Sequence, residues 1–315
     1  LKPHPGCALG VDLGGTKIEA RLYDDAAGER WRRRVPTPGG DYGATVAAIA
    51  ALVAAARSAA GGAPVSVGIG TPGAAQADGR MKNCNSTCLN GQPLQADIEA
   101  AVGQPVVLMN DANCLALSEA TDGAGAGAAV VFAAIVGTGV GGGIAVDGRV
   151  LTGPNALAGE WGHNPLPWCS EAEIAAAGGY TCYCGRRGCI EAMASGPALA
   201  RDHAARHGGT LDAATIAARA AAGDADARAT LDRHAERLAR ALASVINLLD
   251  PDVIVLGGGL SLMPHLVQQV PRLWGRWVFG AAAQEPPRTR LAAALHGDAS
   301  GVRGAAWVGR PSARG

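Results

Sequence analysis

Residues 8–23 read Ala-Leu-Gly-Val-Asp-Leu-Gly-Gly-Thr-Lys-Ile-Glu-Ala-Arg-Leu-Tyr. A short apolar run, 8–13, predicts a strand. Gly14-Gly15-Thr16-Lys17 supplies turn chemistry, and 18–23 returns as a second strand. No helical period follows these glycines, so the loop joins two strands. Residues 130–151 repeat the grammar: an apolar run at 130–136, Gly137-Thr138-Gly139, a return at 143–146, Asp147-Gly148 as a hairpin turn, then 149–151. Later in each half an apolar strand ends in glycine, 65–69 before Gly70-Thr71-Pro72-Gly73 and 253–256 before Gly257-Gly258-Gly259. Two halves built alike predict an internal duplication. The expected class is α/β: two domains, each a mixed sheet flanked by helices, with a cleft between them.

Further elements fill in this frame. Residues 30–35 predict a third strand, and its Arg30, Arg32, Arg33 and Arg34 read as a solvated face. An alanine-rich helix is expected over 41–60 and a strand over 106–109 ending at Asn110-Asp111-Ala112-Asn113. A helix is expected over 115–120. A long helix over 225–249 carries the stripe Leu231, Ala235, Leu238, Leu242, Val245 and Leu249, and Pro251 stops it. A last helix is expected over 301–308.

Composition excludes several partners. The 315 residues suffice for two cores, and 27 Lys plus Arg balance 27 Asp plus Glu, so nothing draws the chain to nucleic acid or an anionic membrane. The most apolar stretch, 44–56, is shorter than the about 20 residues a span requires. Cys7, Cys84, Cys88, Cys114 and Cys169 are scattered singly, which argues for reduced thiols; with no signal-peptide core, a cytoplasmic protein is expected.

The other three cysteines are clustered. Residues 182–191 read Cys-Tyr-Cys-Gly-Arg-Arg-Gly-Cys-Ile-Glu, and His163 lies upstream in Gly-Glu-Trp-Gly-His. Cys182, Cys184, Cys189 and His163 make a closed ligand set for one structural zinc, against the plainer alternative of three reduced thiols in a glycine loop. Such a metal would fix Glu160 and Glu191 in space.

The glycine loops suit an anion. Gly137-x-Gly139-x-x-Gly142 matches the dinucleotide fingerprint, but hairpin chemistry follows where that motif needs a helix, and the chain has no P-loop. What remains is two hairpin turns with open backbone N–H groups, Gly14 to Lys17 and Gly137 to Gly139. Asp12 could hold a water on Mg²⁺ or merely cap its turn, and Lys17 could meet a phosphate. Asp111, where a strand gives way to a helix, is a candidate general base or an N-cap.

Asp12-Leu13-Gly14-Gly15-Thr16-Lys17, Gly137-Thr138-Gly139-Val140-Gly141, Gly159-Glu160-Trp161-Gly162-His163 and the 182–191 stretch together resemble the ROK family of sugar kinases, over about 10–307. The resemblance implies two actin-like (ribonuclease H-like) domains, 1–121 with 300–315 and 122–299. It implies ATP and Mg²⁺ as cofactors beside a structural Zn²⁺, and Asp111 as the base. Gly73, Asn85, Asn110, Asp111, Glu160, His163 and Glu191 match sugar-binding positions. Asp12, Gly14, Gly15, Thr16, Lys17, Thr138, Gly139, Gly257, Gly258 and Gly259 match the nucleotide side.

Within the family, Asn85-Ser86-Thr87, Leu89-Asn90-Gly91-Gln92-Pro93 and His163-Asn164-Pro165-Leu166-Pro167-Trp168 look most like bacterial fructokinases, so D-fructose is the expected substrate. Glucose, mannose and N-acetylhexosamines are the alternatives. Cys88 departs from the pattern, where a tryptophan is expected. Sugar-sensing repressors of the family carry a helix-turn-helix ahead of the first glycine loop, and nine residues before Gly10 do not provide one. Relatives are commonly homodimers, which the resemblance implies here.

Overall fold

The computed structural model describes residues 6–280 and 285–310. Its strands are β1 (Cys7–Leu13), β2 (Lys17–Tyr23), β3 (Glu29–Pro36), β4 (Val65–Thr71), β5 (Ala74–Ala75), β6 (Met81–Lys82), β7 (Val107–Asn110), β8 (Val130–Val136), β9 (Val140–Val146), β10 (Arg149–Val150), β11 (Val253–Gly257) and β12 (Arg290–Ala293). The helices are α1 (Tyr42–Ala59), α2 (Leu94–Val102), α3 (Asp111–Asp122), α4 (Glu171–Ala176), α5 (Ile190–Ala194), α6 (Gly196–His207), α7 (Ala213–Ala221), α8 (Ala225–Leu249), α9 (Pro264–Leu273) and α10 (Ser300–Gly309).

The two large sheets share one topology. The first runs β3-β2-β1-β4-β7 and the second β10-β9-β8-β11-β12. In each, an antiparallel hairpin leads to a central strand with parallel partners: β1 pairs antiparallel with β2 and parallel with β4, and β8 pairs antiparallel with β9 and parallel with β11. The duplicated α/β class expected from sequence is therefore present. The chain divides into two compact units, Leu1–Gly123 with Gly148–Ala158 and Asp298–Gly315, and Ala124–Asp147 with Gly159–Gly297.

In the first unit β1 is buried along nearly its whole length, as a central strand covered on both faces must be. Leu9, Val11, Ile18 and Leu22 share a core with Ile49, Leu52 and Val53 of α1. Helix α1 has 18 residues and a mean hydropathy of 1.4, long and apolar enough to cross a membrane by length and composition, which corrects the shorter stretch read from sequence. Its i, i+3, i+4 stripe is nevertheless spent on this core. On the other face α10 lies directly on β1. A Cβ at Gly10 would stand 1.9 Å from the Val302 carbonyl oxygen, so only glycine permits this approach.

In the second unit Leu231, Ala235, Leu238, Leu242 and Val245 of α8 are buried, and Leu249 packs at the edge. Asp224 caps the helix start, and Asp250 takes a left-handed conformation (φ 45°) just before Pro251. Beneath α8 lies an ion network. Arg237, 3% exposed, donates to Asp202, 1% exposed, at 2.9 Å and to Glu173 at 3.0 Å. Burial alone would raise the Asp202 carboxyl; Arg237 and Arg233 hold it below its ordinary value. Glu173 is on α4, so this network fastens the segment between His163 and Cys182 to the long helix.

Candidate functional site

The first unit gathers its polar residues at the C-terminal ends of parallel strands, where open α/β sheets present ligand groups. Asp12 is the last residue but one of β1, opposite Glu19 on β2 and Gly70 on β4. Asn110 ends β7. Its side chain caps α3, accepting from the backbone of Ala112 (2.9 Å) and Asn113, while its amide donates to the Gly73 carbonyl at 3.1 Å. Asp111 is thus the first residue of the helix and not its N-cap, and α3 begins four residues earlier than the sequence suggested. The Asp111 carboxylate accepts from the Ala112 N–H at 2.7 Å.

Asp12 and Asp111 repel each other. Burial, then the Asp111 charge, then Glu19, push the Asp12 carboxyl up to about 6. Glu19 is itself held low by Arg34 and Arg21 against its own burial. Arg30, Arg32, Arg33 and Arg34 are all exposed, as expected of a solvated face, and Arg34 also pairs with Glu19 beside Asp12. Cys114, buried one turn into α3, was not singled out from sequence. Its sulfur would stand 3.3 Å from a Cβ placed at Gly70, with an Asp12 carboxylate oxygen in ordinary contact at 3.7 Å, and burial beside the two carboxylates keeps its thiol neutral.

Gly14 to Lys17 forms the tight turn expected, with the Gly14 N–H donating to the Lys17 carbonyl at 3.0 Å; Gly15, Thr16 and Lys17 are exposed. Beside it lies a cavity of about 280 Å³ lined by Leu13, Gly15, Thr37, Asn85, Ser86 and Cys88. Asn85 and the departing Cys88 therefore share a wall with the first glycine loop, whereas Asn110 and Asp111 do not line that cavity.

In the second unit the four soft ligands converge. One donor atom from each of His163, Cys182, Cys184 and Cys189 lies within 4.8 Å of the others, and His163 Nδ1 is 3.8 Å from Cys182 Sγ. Zn–S bonds of about 2.3 Å set tetrahedral ligand atoms about 3.8 Å apart, so this donor set could hold such an ion. The other ring nitrogen, His163 Nε2, meets the Tyr183 hydroxyl at 2.9 Å. Glu160 is exposed at the start of the turn carrying His163. Glu191 is half-buried and turned inward, where it accepts from the Val140 N–H at 3.0 Å.

A cavity of about 420 Å³ lies against the second glycine turn, lined by Gly137, Thr138, Gly196, Pro197, Gly259 and Met263. Thr138 and Gly259 were expected near one another. Gly196 and Pro197 were not, although Ser195-Gly196-Pro197 is a legible helix start: Ser195 caps α6, with proline in its first turn.

The ROK family model matches residues 8–310. This chain belongs to the ROK family. N-acetyl-D-glucosamine kinase from Salmonella paratyphi A is 38% identical over 305 residues, covering 95% of this chain and 98% of its own. The crystal structure of a ROK hexokinase from Thermus thermophilus superposes with a TM-score of 0.82 at 33% identity, covering 96% of this chain and 97% of that one. A ROK family glucokinase from Streptomyces griseus, solved with glucose and AMPPNP, gives 0.77 at 31% identity over 96% and 99%.

Proposed function

We propose that this ROK protein transfers the terminal phosphoryl group of ATP to a hexose, with N-acetyl-D-glucosamine as its preferred acceptor. The observation that carries the choice of sugar is the 38% identity, across 95% of the chain, to a kinase named for that sugar. The fructose expected from the 85–93 and 163–168 stretches has no such support among these relatives. Glucose is the second candidate, since neighbours at 33% and 31% identity are a hexokinase and a glucokinase.

Asp111 is the proposed general base. It is exposed at the head of α3, and Asn110, not Asp111, carries the cap. Phosphoryl transfer passes through a loose transition state, so an ordinary carboxylate that receives the hydroxyl proton late is adequate. Asn110, Gly73, Asn85, Glu160, His163 and Glu191 are assigned to the sugar. A carboxylate built to accept from a hydroxyl rejects sugars that lack it, because the group is then left unpaired. Gly14, Gly15, Thr16, Lys17, Thr138, Gly139 and Gly257 to Gly259 are assigned to the nucleotide, with the cavity beside Thr138 for the nucleoside.

Mg²⁺ accompanying the nucleotide would supply positive charge to the transferring phosphoryl group, and Asp12, whose proton is held up by burial and by Asp111, would orient its water. Zn²⁺ is assigned to His163, Cys182, Cys184 and Cys189 as a structural ion, four protein ligands leaving no open position. The functional domains are 1–121 with 300–315 and 122–299, in a cytoplasmic homodimer. A coupled ADP-release assay over N-acetyl-D-glucosamine, glucose, mannose, N-acetyl-D-mannosamine and fructose tests the proposal. Highest kcat/KM on N-acetyl-D-glucosamine is expected; preference for fructose would overturn the choice of sugar, and no turnover on any hexose would overturn the activity.

A further inference from the structure

The metal cluster and the second glycine turn are mechanically one piece. Cys189 is the residue from which α5 starts, and Glu191 is the second residue of that helix. One Glu191 carboxylate oxygen accepts from the Val140 N–H at 3.0 Å, and the other lies 3.6 Å from Cys182 Sγ. After α5, the Gly196 N–H that opens α6 donates to the Gly137 carbonyl at 2.8 Å. From the other side of the cluster, the Trp161 indole N–H, two residues before His163, donates to the Gly141 carbonyl at 2.7 Å. The turn Gly137-Thr138-Gly139 is thus gripped at Gly137, Val140 and Gly141 by segments that carry the metal ligands.

The fit at the middle grip is tight. A Cβ at Gly139 would stand 2.7 Å from the Glu191 carboxylate, so the carboxylate that reaches Val140 takes the space a side chain at 139 would fill. A turn made of glycine and threonine has little side-chain packing of its own, and its order must come from such outside contacts. The same Gly137 and Thr138 line the cavity of about 420 Å³.

We infer that Glu191 is a positioning residue for the nucleotide side: through it the metal cluster pre-orders the Gly137-Thr138-Gly139 turn for phosphate. This rests on the kinase reading and adds to the sugar contact assigned to Glu191 there. A turn already ordered binds without the ordering cost. Losing a hydrogen bond to a charged acceptor at the middle grip is expected to weaken nucleotide about tenfold.

The experiment is calorimetric binding of AMPPNP with Mg²⁺, in the absence of sugar, to the full chain carrying Glu191→Gln, Glu191→Asp or Glu191→Ala. Reach, not charge, should decide. Gln keeps a full-length acceptor for Val140 and should stay within about threefold of the parent; Asp keeps the charge but falls one methylene short, and should lose about tenfold, as Ala does. The two conservative variants serve where Ala fails to fold. Metal removal from the parent should weaken AMPPNP by a similar factor, and removal from the Asp variant should add little, since both act on one link. Equal AMPPNP affinity in the parent and all three variants overturns the inference and leaves the kinase reading standing. Failure of the parent to bind AMPPNP overturns both.

Discussion

Replacing Asp12 by asparagine should make the first unit more stable and, at the same time, inactive. The carboxyl is raised from 3.8 to about 6, by burial first and by the Asp111 charge second. At 1.36 kcal/mol per pKa unit this amounts to about 3 kcal/mol, an upper value because Asp12 keeps a solvent-facing edge. The folded pKa lies above the unfolded one. Below about pH 4 both states hold the proton and the difference contributes nothing against stability. Between about pH 4 and pH 6 the unfolded chain releases the proton while the folded chain keeps it, so stability falls as pH rises. Above about pH 6 the full penalty is present.

The asparagine amide has no such titration. The stability difference between Asp12→Asn and the parent should therefore grow from near zero at pH 4 to about 3 kcal/mol at pH 7.5, without Mg²⁺. Urea-dependent amide exchange of peptides from β1 and β4 reads the first unit by itself, which a whole-chain melt of two units does not. Saturating Mg²⁺ should shrink the difference at pH 7.5 by relieving the ionised carboxylate, while turnover of the variant stays low, a trade-off expected of a strained functional group. A difference that is flat from pH 4 to pH 7.5, or one of opposite sign, would refute the electrostatic account of Asp12.

Three other outcomes are expected. Asp111→Asn should lower kcat by about 10²–10⁴ with hexose KM little changed, in the coupled ADP-release assay; turnover within threefold of the parent would remove Asp111 as base. Protein prepared without chelator should carry about one zinc per chain by elemental analysis, and its removal should lower the thermal midpoint; well under one zinc per chain would count against His163, Cys182, Cys184 and Cys189 as ligands. Arg237→Ala should destabilise the second unit by about 3–5 kcal/mol, because Asp202, 1% exposed, and Glu173 both lose a buried partner; an unchanged urea midpoint for α8 peptides would show the network to be dispensable.

What the sequence discloses and what it conceals follow from how local each signal is. The two hairpins, the glycine turns and the three clustered cysteines are legible because each is written within a few neighbouring residues, and His163, 19 positions before Cys182, by its residue type. Helices α6 and α7 escape a sequence reading because their buried positions mix small and polar residues, Gly196, Ala198, Asp202, His203 and Ala220, with one large apolar residue each, Leu199 and Ile216, which gives a faint apolar period. The start of α3 is ambiguous in sequence because Asn110 and Asp111 are both good caps, and only the non-helical backbone at Asn110 (φ −59°, ψ 144°) decides between them. That one-residue difference matters: it assigns the cap to Asn110 and sets Asp111 in the first turn of the helix, where it faces Asp12 electrostatically. The grip of Glu191 on Val140, 51 positions away in the chain, has no local signal at all. Glycine at 139 is visible, but it looks like a turn residue; the space it vacates is taken by a carboxylate from beside a metal ligand. A glycine loop in this chain is therefore shaped as much by the residue pressed against it as by its own freedom, and that residue lies far from it in the chain.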